Sequence, residues 1–463
     1  MMSLSGLSRR RMVGAGAVAA AMSRLAPAGA AMPLPLAVER RSLDVNGKAA
    51  SVFGIVRPNG MPGLVLAPGE RFAVSLGNRS GETTIVHWHG QTPPYLQDGV
   101  AQTGGALIVN GSAQDYDFAP RVGTYWMHSH HGLQAQQLLA APLIVRSAGD
   151  VQADRQEVTV LLHDFSFREP AEILANLVRP AAPAGAMPGM AMAPDLNDID
   201  YDAYLANDRT LADPLVVRTE RTGRVRLRLI NGAAATAFWV DFGALEGTLV
   251  AVDGDAVAPL RVRRIPLAEA QRADVLLDLT QAGAFPVLAQ REGDRPRTGI
   301  ILATAGAAVA KLSPVAERAV GAVDMALEVQ LAAAAPLPPR PADVVRRIAL
   351  TGMMAPYAWS IDGRSWANHQ PIPVSHGQRV ELAMFNRTRM AHPMHLHGHH
   401  FQVTELNGTP IAGALRDTVL VPVNASVTVA FDADNPGRWL LHCHNLFHMA
   451  TGMMTELAYD DVG

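Results

Sequence analysis

Four short histidine motifs hold the side chains with the most definite chemistry in this 463-residue chain. They are His87-Trp88-His89, His128-Ser129-His130, His392-Pro393-Met394-His395-Leu396-His397 and His442-Cys443-His444, the last followed by His448 and Met453. Alternate residues of a β-strand point to the same face, so each His-x-His pair directs two imidazoles at a common point. The Cys443 thiolate must then point away from its two flanking histidines, toward a different site. We therefore expect this one segment to contact two metal centres.

The donor types indicate copper as the metal. One thiolate, two imidazoles and a weak thioether are typical of a blue copper electron-transfer site. The side chains that would supply this set are Cys443, the single cysteine of the chain, with His392, His448 and Met453. The other eight histidines of the motifs suit a cluster with histidine ligands alone: His87, His89, His128, His130, His395, His397, His442 and His444. Zinc would prefer one closed tetrahedral site, which eight imidazoles and a separate thiolate do not form.

A long internal repeat indicates which elements position these motifs. Arg71, Arg224 and Arg379 lie 153 and 155 residues apart, and each is followed seven residues later by an asparagine. A period of this length indicates a duplicated domain rather than a solenoid. Between arginine and asparagine, apolar and polar residues alternate, as expected for a half-buried strand. Turn signals such as Asn46-Gly47 separate similar runs, so each copy is predicted to be an antiparallel β-sandwich.

We therefore predict an all-β fold with domains at residues 31–150, 151–310 and 335–463. The first and last copies carry their histidines at matching offsets, since Arg71 to His89 and Arg379 to His397 both span 18 residues. The middle copy has no histidine at the matching positions and is expected to be structural.

Residues 1–30 are typical of an export signal that is removed. Ser8-Arg9-Arg10-Arg11 is similar to a twin-arginine motif, a short apolar run follows it, and Ala28-Gly29-Ala30 offers small residues for cleavage. The apolar run is too short to span a bilayer. Its removal takes away four arginines and no acids, which changes the formal net charge from −3 to −7. We expect a periplasmic protein that binds neither nucleic acid nor the membrane.

In their order and position, the four motifs resemble the copper-binding signatures of the multicopper oxidases, which include laccases, bilirubin oxidases and bacterial cuprous oxidases. The resemblance implies three consecutive cupredoxin-like Greek-key β-sandwiches with four copper ions. A blue copper would lie in the third domain, and a trinuclear cluster between the first and third, which a monomer can build alone. His87 and His395 would hold the lone copper of the cluster. The ligands of its coupled pair would be His89, His128, His130, His397, His442 and His444.

The resemblance also implies the reaction. Single electrons from a reductant would pass through Cys443 to the cluster, where four of them reduce dioxygen to two waters. Asp98 matches the family's acidic residue near the lone copper and is predicted to relay protons, with a turn aspartate beside Gly99 as the alternative. Some relatives carry a glutamate directly after the last histidine ligand, where this chain has Met449. A second proton route would then need another acid or a water chain.

The sequence gives less specific evidence about the reductant than about the metal ligands. Met187, Met190 and Met192 form a short group of thioethers, which suit Cu(I). Asp417 matches the position of a substrate-copper carboxylate in cuprous oxidases, or else braces a loop. We predict Cu(I) oxidation in copper tolerance, with phenol oxidation of the laccase type or Mn(II) oxidation as alternatives.

Two further alternatives stay open. Most of the 19 methionines can instead fill the core. A non-enzymatic relative, copper-binding or associated with cell division, would share the fold, but such relatives typically lose the cysteine and several histidines that this chain keeps. Of the histidines outside the ligand set, those beside the motifs are candidates to surround the metals or a substrate: His131, His399 and His400. His369 and His376 are expected at the surface.

Overall fold

The structure is a computed structural model that describes residues 32–179, 195–220, 223–460 and 462. The predicted export signal and the three methionines Met187, Met190 and Met192 lie outside these residues. Within the described ranges, no helix combines the length and the apolar character needed to cross a bilayer. Six β-sheets in these ranges form three sandwiches, each built from its own stretch of the chain.

Residues 34–145, all described, form the first sandwich from two four-stranded sheets. Its strands are β1 (Leu34–Val45), β2 (Lys48–Val56), β3 (Leu64–Leu66), β4 (Phe72–Arg79), β5 (Val86–His89), β6 (Ala113–Phe118), β7 (Gly123–Ser129) and β8 (Ala140–Val145). The sheet orders are β2-β1-β4-β6 and β3-β8-β7-β5. Short 3-10 helices lie in its loops at Tyr95–Gln97, Ala101–Thr103 and Gln134–Gln137. Side chains of β4 are alternately buried and more exposed, because one sheet face packs on the core.

Helix α1 (Ala148–Gln152) leads into the middle sandwich. Its described strands are β9 (Gln156–Phe165), β10 (Ala203–Ala206), β11 (Leu215–Arg218), β12 (Arg224–Asn231), β13 (Phe238–Asp241), β14 (Gly247–Val252), β15 (Asp255–Val262), β16 (Arg264–Leu267), β17 (Arg272–Asp278), β18 (Ala284–Arg291) and β19 (Arg297–Ala303). The sheet orders are β10-β9-β12-β17-β14-β15 and β11-β19-β18-β13-β16. Helix α2 (Pro170–Val178) follows β9, and a 3-10 helix at Glu328–Gln330 lies beyond the sandwich.

Residues 344–459, all described, form the third sandwich. Its strands are β20 (Val344–Met354), β21 (Tyr357–Ile361), β22 (Ile372–Val374), β23 (Arg379–Asn386), β24 (His392–Leu396), β25 (Phe401–Leu406), β26 (Thr409–Pro410), β27 (Leu415–Arg416), β28 (Thr418–Val421), β29 (Ser426–Asp432), β30 (Arg438–Cys443) and β31 (Met454–Tyr459). The sheet orders are β21-β20-β23-β29-β25-β26, with β27 also on β25, and β22-β31-β30-β24-β28. A 3-10 helix lies at Trp366–Asn368, and helix α3 (Leu446–Ala450) follows β30.

The sequence repeat corresponds to a repeated strand and turn. β4, β12 and β23 carry the repeat, and each pairs in parallel with the first strand of its own sandwich. The repeat asparagines are Asn78, Asn231 and Asn386, and each buried side-chain amide donates to two backbone carbonyls. Each side-chain oxygen accepts the backbone N–H two residues later. Asparagine recurs because a buried turn needs donors and an acceptor at this point.

Each sandwich packs around its own hydrophobic core. The cores contain large aromatic side chains that are fully buried, such as Trp88 in the first, Phe238 in the middle and Trp439 in the third. The described residues confirm the predicted all-β class with three β-sandwiches. The domain boundaries at residues 150, 310 and 335 stay predictions.

Candidate metal centres

Strand pairing brings the four histidine motifs together in two pairs. In the first sandwich β5 lies beside β7, with His87 directly opposite His128. In the third sandwich β24 lies beside β30, with His395 directly opposite His442. Side chains directly opposite each other on neighbouring strands have Cβ atoms about 5 Å apart, which is close enough to share a ligand. The backbone register therefore positions these donors.

Cys443 lies between two imidazoles in the core of the third sandwich. Its Sγ is 3.6 Å from His392 Nδ1 and 3.6 Å from His448 Nδ1, and the two Nδ1 atoms are 3.1 Å apart. All three side chains are fully buried. Burial raises the pKa of the Cys443 thiol, so a thiolate at this position needs a cation beside it. One metal ion held by these three atoms would meet that need.

A short helix returns the chain to this site. Helix α3 begins after Asn445, whose side-chain oxygen accepts the backbone N–H groups of Phe447 and His448. The following turn brings back Met453, whose carbonyl oxygen accepts the Cys443 N–H at 3.1 Å. The Met453 side chain is fully buried, as expected of the predicted thioether ligand.

Two polar side chains that the sequence analysis missed hold the imidazoles of this site. Thr388 Oγ1 lies 2.7 Å from His392 Nε2, and Asp198 Oδ2 lies 3.0 Å from His448 Nε2. These contacts place a hydrogen on each Nε2 and leave each Nδ1 lone pair directed at Cys443. Thr388 could have been found from the repeat, since it follows the turn asparagine by two residues. Asp198 belongs to the middle sandwich, and no local pattern connects it with His448.

The other eight histidines converge where the first and third sandwiches meet. They are His87, His89, His128 and His130 from the first, and His395, His397, His442 and His444 from the third, and all are buried. Ring centroids across the interface are 3.8 Å apart for His89 and His395, and 4.0 Å apart for His87 and His397. Groups with ligand atoms close enough to share an ion include His87-His395-His397, His87-His89-His128 and His130-His397-His442.

Hydrogen bonds leave ring nitrogens of this cluster without hydrogens. The Nδ1 atoms of His87 and His395 each donate to a backbone carbonyl, at 2.9 and 2.8 Å. Their Nε2 atoms are buried with no hydrogen-bond partner among the described residues, as are both ring nitrogens of His130 and His444. A buried polar atom without a partner costs about 1–3 kcal/mol. Several such atoms in one place therefore indicate a bound cation.

Two pairs of ring nitrogens also face each other directly. His397 Nε2 is 3.0 Å from His442 Nε2, and His89 Nδ1 is 3.4 Å from His128 Nε2. The other nitrogen of each ring bonds an oxygen, so lone pairs face each other in both pairs. Burial, and then the neighbouring imidazoles, lower the pKa of His89, His128 and His397 well below the ordinary value. Neutral rings at these distances repel each other unless a metal ion lies between them, which fits a copper cluster.

Comparison with known proteins identifies the family. Three family models described as multicopper oxidase match residues 37–150, 156–307 and 339–462. The multicopper oxidase MmcO of Mycobacterium tuberculosis is 31% identical, over 96% of this chain and 90% of that relative. The chain belongs to the multicopper oxidase family. It is therefore an oxidoreductase that acts on oxygen, with copper as cofactor.

Other proteins similar to this oxidase are named for different functions. Copper resistance protein A of Escherichia coli is 25% identical, over 91% of this chain and 90% of that relative. The structure of Fet3p, a multicopper oxidase that functions in iron import, matches with a TM-score of 0.76 at 20% identity, over 92% of this chain and 90% of that one. A laccase from Botrytis aclada matches with a TM-score of 0.74 at 22% identity, over 92% and 87%. These structures confirm the cupredoxin-like fold.

Asp98 lies between histidines from two sandwiches of the oxidase. Its Oδ2 accepts the His397 Nδ1–H at 2.8 Å, and its Oδ1 is 3.2 Å from His87 Nδ1. The residue is 1% exposed, unlike an ordinary turn aspartate. The neighbouring Gly99 is packed so tightly that an added Cβ would lie 1.8 Å from the Val86 carbonyl oxygen. Asp98 therefore orients cluster imidazoles, and its predicted part in proton relay stays a prediction.

Asp417 lies beside the eight-histidine cluster. It is fully buried, its Oδ1 accepts from Arg272 Nη1 at 2.7 Å, and the same atom is 3.1 Å from His89 Nε2. Although burial alone would raise it, Arg272 holds the pKa of Asp417 below the ordinary value. The contacts of Asp417 orient His89, and its predicted substrate-copper role stays a prediction.

The middle sandwich has a larger role than the sequence analysis expected. It supplies Arg272, whose guanidinium also donates to the Thr124 carbonyl of the first sandwich at 3.2 Å. A buried ion-pair chain continues from it through Asp253 to Arg416 of the third sandwich, which pairs with Glu328 at 2.8 Å. A domain without predicted metal ligands thus contacts both halves of the cluster interface.

The methionines near the motifs differ in burial. Met390, Met394 and Met454 are buried in the cores, whereas Met353 is 56% exposed. Met449, at the position of the family's glutamate, is half-buried and packs on the core of the third sandwich. Most of the described methionines near the motifs therefore fill space.

The histidines outside the ligand set differ in burial. His376 is exposed and His131 is half-buried. His369 is also half-buried, with its Nε2 3.3 Å from Glu456. His399 is buried, with its Nε2 2.7 Å from the Tyr459 hydroxyl. His400 lies at the junction of the three sandwiches.

Proposed function

We propose that this oxidase couples the one-electron oxidation of Cu(I) to the four-electron reduction of dioxygen to water, and that it serves copper tolerance. It would use four copper ions, one at Cys443, His392, His448 and Met453 and three at the eight-histidine cluster. Copper supplies the one-electron redox chemistry at both centres. The observation that carries the proposal is the end of β30, where Cys443 faces one donor set while His442 and His444 face the other.

The protein's part is to orient the donors and to exclude water. Thr388 and Asp198 fix the ring orientation of His392 and His448. The Trp359 ring covers His448, with centroids 4.1 Å apart. Enclosed donors keep water and side reactions away from both centres. The two centres are linked through the bonds of one short segment of backbone and side chains.

A cationic reductant is favoured by the carboxylate beside His448. Asp198 Oδ2 is bonded to His448 and accepts the Tyr357 hydroxyl at 2.6 Å. Its Oδ1 is buried with no hydrogen-bond partner among the described residues. Nearby, burial and repulsion from Asp198 raise the pKa of Asp195. An incompletely paired carboxylate attracts a cation more strongly than a neutral phenol.

Two further features support copper as that cation. The thioethers of Met187, Met190 and Met192 directly precede the segment that carries Asp198 in the sequence, and thioethers prefer Cu(I). A relative that covers nearly the whole chain is named copper resistance protein A.

We also propose that the oxidase acts in the periplasm as a monomer with no membrane association. Residues 1–30 carry the twin-arginine-type sequence, and this route exports folded proteins that already hold a cofactor. All eight cluster histidines come from a single chain, so a second copy is not needed to complete the cluster.

The test is oxygen uptake by copper-loaded protein that is offered Cu(I), Mn(II), or a methoxyphenol with and without added Cu(II). We expect fast uptake with Cu(I), and phenol oxidation only when copper is added. Equal phenol oxidation without added copper would assign the protein as a laccase instead, and preference for Mn(II) would assign it as a manganese oxidase. A fully loaded protein that takes up no oxygen with any reductant would contradict the oxidase proposal.

The role of the carboxylate is tested with Asp198→Asn, which keeps an acceptor for His448 and removes the charge. We expect KM for Cu(I) to rise roughly tenfold, equivalent to about 1.4 kcal/mol, with KM for the phenol unchanged. Asp200→Asn is the matched control, because the Asp200 side chain in the same segment is fully exposed. An equal rise of KM for both reductants would mean that Asp198 only maintains the blue copper site.

A further inference from the structure

His400 joins all three sandwiches through its two ring nitrogens. The residue precedes β25 of the third sandwich, and its Nδ1 bonds Asp255 Oδ2 at the start of β15 in the middle sandwich. Its Nε2 bonds the Gly90 carbonyl oxygen of the first sandwich at 2.7 Å. The side chain is 5% exposed and lies at the edge of a polar cleft of about 340 Å³.

Both ring nitrogens of His400 face acceptors, so both carry hydrogens. The Gly90 carbonyl can only accept, which makes Nε2–H a donor. Burial alone would raise the pKa of Asp255, but His400 and Arg121 outweigh it and lower that pKa to about 2. Asp255 is therefore an ionised carboxylate, and Nδ1–H donates to it. The ring is an imidazolium, and a charge-assisted hydrogen bond of this kind is roughly twice as strong as a neutral one.

Charged and polar groups from each neighbouring element surround this imidazolium. They are Asp255 on β15, Arg121 before β7, Asp417 after β27, Arg272 on β17, the adjacent His399 and the Tyr125 ring. Arg121 bonds Asp255 at 2.9 Å. Asp417 Oδ2 is 3.8 Å from the imidazolium Nε2, and its other oxygen reaches His89. The imidazolium thus lies between two carboxylates, one of which contacts a cluster histidine.

The bond to Gly90 holds the backbone directly after His89. Gly90 has φ +83°, and an added Cβ would lie 2.6 Å from Asp417 Oδ2 and 2.5 Å from Arg272 Nη2. The next residue, Gln91, exchanges hydrogen bonds with the backbone of Arg121. This part of the chain is packed on all sides, and His400 is the side chain that reaches its Gly90 carbonyl from the third sandwich.

We propose that His400 is a positioning residue, a charged clamp that holds the segment after His89 and so keeps the first and third sandwiches in the arrangement that the histidine cluster requires. The inference rests on the proposed function, since it concerns copper in that cluster. It adds a contact that the ligand motifs do not contain. The proposed blue copper ligands come from one sandwich, and their contact with the middle sandwich is through Asp198 and not through His400, so the blue site should not depend on the clamp.

The test compares His400→Gln with His400→Arg in the full-length protein. A glutamine side chain presents an oxygen to one of the two acceptors, whereas a guanidinium can donate to both. Cluster copper is measured by chelator competition, by copper content and by the electron paramagnetic resonance signal of the lone copper, and the blue site by its absorption. We expect His400→Gln to keep the blue absorption and to lose affinity for cluster copper by 10–100-fold, with partial recovery in His400→Arg. His376→Gln, at an exposed histidine of the same sandwich, is the matched control.

Unchanged copper content and chelator competition in His400→Gln would overturn the proposal. Loss of the blue absorption as well would mean that the variant disturbs the third sandwich. Asp255→Asn then decides, because it weakens the same bond from the middle sandwich. A selective loss of cluster copper in that variant supports the clamp, and its absence overturns it. Wild-type protein that binds no cluster copper would instead overturn the proposed function, and the clamp with it.

Discussion

The two candidate metal centres of this oxidase are assembled in different ways. At the proposed blue site, Cys443, His392 and His448 all come from the third sandwich, and the two histidines are 56 residues apart in the chain. At the cluster, neighbouring rings such as His87 and His397 come from different sandwiches. A site within one core forms when that core folds. A site between two cores also requires that the interface be held in one position.

The middle sandwich provides many of the contacts that hold this interface in position. Arg272 pairs with Asp417 beside His89, and Asp255 pairs with His400 beside Gly90. The sandwich without predicted ligands therefore helps to set the geometry of the cluster. The proposed blue site takes its ligands from the third sandwich and one supporting contact, Asp198 to His448, from the middle one. We therefore expect the cluster to be the more fragile centre, and variants at both centres test this difference.

The largest effect is expected from Cys443→Ser. A serine hydroxyl does not replace the thiolate donor, so the intense blue absorption and turnover should both be lost. Because the cluster histidines are untouched, three of the proposed four coppers should remain. Absorption spectra and copper content per chain check this. A blue band that persists in the variant would refute the assignment of Cys443 as ligand.

Arg272→Leu should show how far the cluster depends on the middle sandwich. Removal of one partner from a fully buried ion pair destabilises a protein by about 3–5 kcal/mol, because Asp417 would be left as an unpaired buried charge. Copper content and thermal unfolding should show loss of cluster copper and a lower midpoint, with the blue absorption retained.

The matched control for this variant is Arg261→Leu. Arg261 forms an exposed ion pair with Glu246 on the same sandwich, and exposed pairs contribute only about 0–1 kcal/mol. Equal shifts in the two variants would mean that the middle sandwich acts as an independent domain. Loss of the blue absorption in Arg272→Leu would show that the blue site also depends on the contacts of Arg272.

Asp98→Asn should slow the reaction at the cluster alone. Asparagine can accept from His397 but presents no second carboxylate oxygen to His87, and loss of such a supporting contact typically costs 10–100-fold in activity or metal affinity. Rapid mixing should show normal bleaching of the blue band by Cu(I) without oxygen, and slower return of the band when oxygen is added. Asp115→Asn, exposed on β6, is the control. Slower bleaching would place Asp98 on the path of electron entry instead.

The same contrast explains what the sequence could predict. Ligand types and the alternation of a strand are local, so Cys443 and its flanking histidines could be assigned to two opposite faces from the motif alone. The repeat asparagines likewise revealed three copies of one fold. In each case the information lies within a few residues, or recurs at a fixed offset.

Contacts between sandwiches leave no such pattern. Asp198, Arg272 and Asp255 lie in a domain that has no ligand motif, and each reaches the metal centres only after the three sandwiches pack. Asp417 illustrates the same point. A motif position indicates where a residue lies along its strand, but the neighbouring sandwich determines whether its side chain is enclosed by Arg272 or reaches the surface.

The smallest effect is expected from Met453→Leu. A weak thioether ligand lowers the potential of a blue copper, and a leucine of similar volume removes the ligand at a cost usually below about 1.5 kcal/mol. A redox titration of the blue absorption should therefore show a higher potential, with copper content unchanged. Met384→Leu, a fully buried change on β23 of the same sandwich, should leave the potential as it was. An unchanged potential in Met453→Leu would mean that the axial ligand is another residue. Loss of cluster copper would instead show that a change in the core of the third sandwich reaches the interface with the first sandwich. The two centres would then be less independent than the separate origins of their ligands indicate.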